Sequence, residues 1–443
     1  MADIKPFRGL RYNTAKIDRM ENVVTPPYDV IDKESQKAFV EKNPYNMIQL
    51  DLTKQSGDKI TDKRYQDASG KFSKWQEDKI LIQDKSPAIY LYFIDYSLPS
   101  GQKFTRKGLV ALVGLAEFAE GIVKPHEKTF RAVTSDRLEL LDACRAQFSQ
   151  VFSLYSDELS EVMNSLEKGC TDPPLYSVED QDGCLHRIWP VTDPDILADV
   201  LKFFQDKSLY IADGHHRYTT ALRFRELMRE NGETPGTDTP WNRIMMYLCP
   251  MEDPGLSVLP THRLVTLPAK ASIEQIMAKL TAHFDIAEIK AGSREMLTGE
   301  VLSRMADNRE GRTMLGLYHP REDRCFILTL KEDGMAEIGG DMSAALKELD
   351  VVVLSDLVLE NLLGLKHKQC EKDDLIRYYS DPDIALDVAV KETVVSDREP
   401  ILFLMNNTPV AQVKKIADQN LIMPHKSTYF YPKILTGLLI NKF

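Results

Sequence analysis

Residues 208–223 read SLYIADGHHRYTTALR, and this stretch constrains the chain more than any other. An apolar run of strand character stops at Asp213 and Gly214, and a helical pattern begins at once. Tyr218, Ala221, Leu222 and Met228 then fall close to one helix face. The first N–H groups of such a helix have no partners within it, and the helix dipole places partial positive charge there. Gly214 has no side chain to block an approaching anion, and His215, His216 and Arg217 add donors in the first turn. Together these are the ingredients of a phosphate site. A plainer reading makes Asp213 an N-cap that accepts from the N–H of His215 or His216, with the histidines solvated and Arg217 paired to an acid. A cap needs neither two histidines nor the arginine, so the whole cluster favours a site. Adjacent helical residues point about 100° apart, which argues against one metal ion held by both imidazoles. Asp213 with a single histidine could share a magnesium ion with a phosphate.

What surrounds this turn is an ordinary globular chain. Its 443 residues favour two or three domains. The 67 acidic against 56 basic residues give a net charge of -11, which repels polyphosphate, so no nucleic-acid partner is expected. The 6 cysteines include no C-x-x-C pair, which points to a reducing, cytoplasmic compartment rather than a disulfide framework or zinc ribbon. The start, MADIKPFRGLRYN, lacks the apolar core of a secretory signal. The longest apolar stretch, residues 109–123, carries Glu117 and Glu120 and falls short of the ~20 residues a membrane span needs. The chain is therefore expected to be a soluble intracellular protein, with no membrane partner.

The pattern along the chain is a mixture of strands and helices, α/β or α+β, with a mixed sheet flanked by helices. Residues 87–96 and 107–118 read as two strands of a hairpin, with a turn at 98–106. The leucines of residues 135–148 fall at helical spacing behind a Ser-Asp start, and residues 193–206 repeat that pattern with Pro194 in the first turn. Residues 231–240, NGETPGTDTP, form the clearest polar loop, and 250–263 a second. Later come a helix at 272–284, a hairpin around 320–324, a leucine- and valine-rich helical stretch at 343–365, a strand, a helix and the terminal KSTYFYPK. The division expected is a catalytic domain over residues 1–265, carrying the D-G-H-H-R turn, and a C-terminal α+β region over 266–443. The KSTYFYPK segment of that region is expected to return to the site.

Other segments carry chemistry less specifically. VKPHEKTF places His126 and Glu127 after a strand, where a tuned carboxylate could accept a hydroxyl proton; a solvated loop is the alternative. PFRGLRYN offers Arg8 and Arg11, whose planar forks suit phosphate or carboxylate. PPYDV sets Tyr28 and Asp29 on a stiff turn, LPTHRL supplies His262 and Arg263, and in HKSTYFYPK Lys426 with Ser427 could hold an anion. There is no Walker loop, no G-x-G-x-x-G, no protein-kinase catalytic loop and no G-x-S-x-G elbow. Any nucleotide chemistry here uses other means.

DGHHRYTTA, taken with FRGLRYN, PPYDVI, KPHEKT, LPTHR and KSTYFYPK, resembles the domain-of-unknown-function 1015 family from residue 7 to residue 440. More distantly, the strand–DGHHR–helix unit is similar to the phosphate-binding turn of the ParB/sulfiredoxin superfamily, which includes free serine kinases. That resemblance extends to Asp213, Gly214, His215 and Arg217. It implies phosphoryl transfer to a small hydroxyl compound, most specifically free L-serine, from ATP, ADP or pyrophosphate. Gly214 and the first-turn amides would cradle the donor phosphates, helped by Lys426. Arg217 with His215 or His216 would neutralise the moving phosphoryl group, and Asp213 would hold Mg2+. Glu127 would take the serine proton, with Arg8, Asp29 and His126 around the substrate. The alternative is a nucleotide-responsive binding or regulatory protein of the ParB-like type without kinase activity. Sulfiredoxin chemistry is set aside, because no cysteine lies in the turn.

Overall fold

A computed structural model gives the fold of the chain; it describes residues 1–53, 63–98, 101–170, 173–233, 239–290, 294–307, 312–340, 342–395 and 398–443. Parts of two expected turns, residues 99–100 and 234–238, lie outside the described residues. The chain divides into two compact units. Met1–Ser257 and Pro432–Phe443 form the first, and Val258–Tyr431 the second.

The first unit is built on a 9-stranded mixed sheet. Its order runs Val123–Lys124, Leu209–Asp213, Val151–Tyr155, Arg243–Pro250, Lys103–Gly114, Ile89–Ser97, Leu185–Val191 and Tyr176–Glu179, with Ile4–Lys5 also paired to Lys103–Gly114. The pairings of Leu209–Asp213 with Val123–Lys124 and of Arg243–Pro250 with Val151–Tyr155 are parallel; the others are antiparallel. The expected hairpin is present as Ile89–Ser97 against Lys103–Gly114.

Side-chain alternation gives this sheet two different faces. Leu91, Leu109, Ala111, Val151, Ile244 and Met246 join one apolar core with helices Glu161–Lys168 and Pro194–Phe204. Residues of the opposite parity put Tyr92, Arg106, Tyr247 and Phe152 on the other face, and a register shift between Ile211 and Asp213 brings Asp213, the partner of Phe152, onto it as well. The closing segment of the chain reaches this second face, where the Leu435 N–H donates to the Tyr92 hydroxyl at 3.4 Å. Leu10 and Ile440 exchange backbone hydrogen bonds, as do Thr25 and Thr436.

Helix starts follow local chemistry in some places and not in others. Asp193 accepts from the N–H groups of Asp195 and Ile196 with Pro194 in the first turn, so helix Pro194–Phe204 starts where the pattern places it. The helix expected from Ser135 instead begins at Arg131. Asp136 is no cap: its carboxylate accepts from Arg137 at 2.6 Å and from the Tyr65 hydroxyl at 2.7 Å. A tertiary partner took the side chain that a cap would have used.

The second unit centres on a six-stranded sheet in the order Phe284–Ile289, Arg324–Leu330, Met314–His319, Glu399–Leu404, His262–Leu267 and Ile376–Tyr379, antiparallel at every pairing. Met314–His319 and Arg324–Leu330 are the expected hairpin. The 343–365 stretch is helical in pieces, ending in a π-helical segment, Val353–Leu362. Helices Ile273–Leu280, Arg294–Asp307, His367–Lys372, Pro382–Val395 and Val410–Asp418 also belong to the unit. Mixed α/β layers in the first unit and an antiparallel sheet with helices in the second make up the fold.

Candidate active site

The strand Leu209–Asp213 delivers the chain to Gly214, and the helix His215–Glu230 follows. Gly214 has φ 92°, a left-handed conformation that side chains disfavour. Close approach matters as much: a Cβ there would lie 2.9 Å from the guanidinium carbon of Arg217. The space above Gly214 is therefore filled by Arg217 folding back across the turn.

Asp213 is not a cap. No side chain caps this helix, and no acid stands in its first turn. The Asp213 carboxylate lies between two cations instead, accepting from Lys433 Nζ at 2.8 Å and from Arg217 at 2.5 Å. Burial alone would raise its pKa, but Lys433 and Arg217 together hold it well below the usual carboxylate range. Arg217 also donates to the carbonyl of Gln150. Both Asp213 oxygens are thus engaged by cations. Among the described residues no cluster of three or more His, Cys, Asp or Glu could hold a metal. Asp213 is placed as the partner of Lys433 and Arg217, and a magnesium ion shared with a phosphate would have to join these ion pairs.

The histidines also differ from the expectation. His215 is buried, and its Nε2 accepts from the backbone N–H of His126 at 3.2 Å. His216 Nε2 accepts from the N–H of Phe130 at 3.0 Å, and its ring stacks on Phe130. A ring nitrogen that accepts is unprotonated, so both imidazoles are neutral acceptors in this arrangement. Burial and the neighbouring His126 push His215 well below the usual histidine value, and burial lowers His126 to about 4. Their work is mechanical: two consecutive rings at the helix start hold residues 126–130 against the turn.

That held segment carries Glu127, half-buried between buried His126 and exposed Lys128. Asp29 is exposed, and its charge and that of Asp213 help raise the pKa of Arg217 against the opposing effect of burial. Arg8 is also exposed, and it donates to the backbone carbonyl of Asp84, just before strand Ile89–Ser97. The structure brings Asp29, His126 and the turn residues together, and gives the Arg8 Nε a backbone acceptor at Asp84. Lys426 lies in the second unit, where its carbonyl accepts from Arg263 at 3.3 Å. In the Asp213 cluster the lysine is Lys433.

Sequence reasoning did not weigh Asp51 or Arg137. Arg137 stacks over the Tyr28 ring at 4.4 Å and reaches the Asp51 carbonyl and carboxylate at 2.5 and 3.3 Å. Burial raises the Asp51 pKa, opposed by Arg137 and Arg217. With Arg217 and Thr220 these side chains line a small cavity of ≈ 60 Å³ over an apolar floor that includes Leu140 and Phe148. No local signal marks NMIQLDL as part of a site, and Arg137 reads as one polar position of a leucine-patterned helix.

No curated protein matches this chain in sequence. Among solved structures it is similar to a conserved hypothetical protein from Pyrococcus furiosus, with 13% identity, 74% of this chain and 95% of that chain covered, and a TM-score of 0.33. A single-residue variant of a free serine kinase in complex with ADP gives 12% identity, 74% and 92% coverage and a TM-score of 0.35. C-terminally truncated SbnI from Staphylococcus aureus gives 8%, 75% and 87%, and 0.35. No helix among the described residues is long and apolar enough to cross a membrane. The family model described as "Protein of unknown function (DUF1015)" matches residues 4–352, which leaves KSTYFYPK outside the matched range, and the chain belongs to that family.

Proposed function

We propose that this protein is a small-molecule phosphotransferase that phosphorylates a hydroxyl compound, free L-serine first among the candidates. One observation carries the reading: a long helix begins, uncapped by any side chain, beside a carboxylate held between Lys433 and Arg217. Uncapped first-turn amides are donors in search of an acceptor, and two cations around one carboxylate leave an excess of positive charge. Phosphate suits both.

Phosphoryl transfer depends mainly on position and charge stabilisation. In this reading the amides of His215, His216 and Arg217 receive the donor phosphates. Arg217 and Lys433 stabilise charge on the moving phosphoryl group, and Asp213 orients both cations. Glu127 accepts the proton of the acceptor hydroxyl as its oxygen bonds to phosphorus and the bridging P–O bond of the donor breaks. His215 and His216 keep the Glu127 segment in place through the backbone of His126 and Phe130. ATP, ADP and pyrophosphate each satisfy this chemistry.

The test is incubation of the purified protein with L-serine and each donor in turn, with phosphoserine read by mass spectrometry. Phosphoserine with at least one donor is the expected result. Nucleotide binding without any product, across hydroxy amino acids, would leave the binding-protein alternative instead.

A further inference from the structure

Five arginines are buried among the described residues: Arg106, Arg137, Arg225, Arg243 and Arg263. Four have oxygen acceptors. Arg137 binds Asp51 and Asp136, Arg225 the Leu115 carbonyl and Glu117, Arg243 Asp3, and Arg263 two carbonyls. Arg106 is 0% exposed, and none of its three guanidinium nitrogens has a hydrogen-bond partner among the described residues. A buried charge without a partner is costly, so a fold that keeps one has a use for it.

The register locates that use. Arg106 and Tyr247 lie on the sheet face that also carries Asp213. The guanidinium lies 4.8 Å from the Phe152 ring centre and 5.4 Å from that of Tyr247. Phe152 is the register partner of Asp213, so the Arg106 charge stands one strand from the Lys433–Asp213–Arg217 cluster. Gly108 admits the Tyr247 ring, since a Cβ there would lie 2.4 Å from it. Two further buried polar side chains of this sheet region are unsatisfied, one beside the guanidinium and one beside Arg217. The Tyr247 hydroxyl, beside the guanidinium, has no geometric hydrogen bond, and neither Gln150 amide atom has a partner although its carbonyl accepts from Arg217. Asp253 feels the Arg106 charge but spends an oxygen on the Gly255 N–H.

We propose that Arg106, with Tyr247 and Gln150, forms an oxyanion subsite on this face, taking either the carboxylate of the acceptor or a phosphate of the donor. The assignment rests on the phosphotransferase reading for the ligand's identity, and on geometry alone for its chemistry. A guanidinium fork matches either group with paired N–H donors. It replaces Arg8, tied to Asp84, as the arginine that grips the substrate.

The test measures binding, independent of turnover, by calorimetry with L-serine and with inorganic pyrophosphate as separate probes. Arg106→Met keeps the length of the side chain and removes an unpaired buried charge, so it should fold at least as stably as the wild type. It should weaken one probe by roughly 10–100-fold. Arg106→Lys keeps the charge without the fork and should fall between the two; it serves as the second variant should Arg106→Met not fold. Loss confined to serine assigns the subsite to the acceptor carboxylate, and loss confined to pyrophosphate assigns it to a donor phosphate. Unchanged binding of both probes in folded variants makes Arg106 a cation–π strut between two rings and overturns the proposal. A wild-type protein that binds neither probe overturns it equally. Phosphoserine formation with Arg106-independent binding sinks this inference alone; Arg106-dependent binding without phosphoserine sinks the phosphotransferase reading alone.

Discussion

The two sheets of this protein bury their faces differently. In the second unit, alternate residues of every inner strand feed two apolar cores: Leu315, Leu317, Phe326 and Phe403 on one side, Met314, Tyr318, Ile327 and Leu402 on the other. The sheet of the first unit is apolar toward helices Glu161–Lys168 and Pro194–Phe204, while its other face carries Asp213, Arg106, Tyr247 and Tyr92. The buried arginines make the contrast sharp. Arg263 in the second unit donates to two backbone carbonyls, and burial lowers its pKa to about 10. Arg106 in the first has no acceptor among the described residues. The second sheet buries apolar side chains on both faces; the first keeps on one face a buried guanidinium without an acceptor, which is what an anionic ligand requires.

This contrast predicts that substitutions on the polar face cost activity, whereas those inside the second sheet cost stability. The largest effect is expected at Arg217. An arginine that stabilises a transferring phosphoryl group contributes ~10³–10⁵ in rate. Arg217→Ala should lower kcat by that order while the protein remains folded, because Lys433 still neutralises Asp213. Kinetics beside thermal unfolding decide it. A fold that collapses while residual kcat persists would make Arg217 structural.

Glu127→Gln comes next, with an expected fall in kcat of ~10²–10⁴ and little change in KM, as for a positioned general base. Activity within a few-fold of wild type would remove Glu127 from the mechanism and leave the phosphate turn standing.

In the second unit, Leu317→Ala opens a cavity at a residue that is 0% exposed. A destabilisation of about 2–5 kcal/mol is expected in denaturant unfolding, with kcat of the folded protein unchanged. A large fall in kcat with normal stability would break the comparison.

The smallest effect concerns pH. His126 is buried with its pKa lowered to about 4, and His215 is lowered further. In the unfolded chain each titrates near 6.5. The unfolded state therefore binds protons first as pH falls, so stability is full above about pH 6.5 and declines toward pH 4. Asp213 acts in the same sense at lower pH: its depressed pKa contributes stability that is full above the unfolded value of 3.8 and is lost as pH falls below it. Ring-proton NMR should show neither His126 nor His215 titrating between pH 8 and 5; a midpoint near 6.5 for either would contradict their burial as neutral acceptors.

What the sequence by itself determined is local. The strand-to-helix switch at Asp213 and Gly214, the Asp193 cap, the two hairpins and the apolar faces follow from side-chain period, φ preference and short-range hydrogen bonds, which act over a few residues. The tertiary structure decided which charges meet. Asp213 had the composition of a cap, but Lys433, 220 residues away, and Arg217 took its carboxylate. His215 and His216 had the look of cations beside a phosphate, but they accept from the backbone of a segment 89 and 86 residues distant. Arg106 falls at the end of the stretch 98–106 that reads as a turn, yet it lies in a strand and is wholly buried against two aromatic rings. Electrostatics and desolvation depend on distance in space and on access to water, and neither is written in the order of residues along the chain.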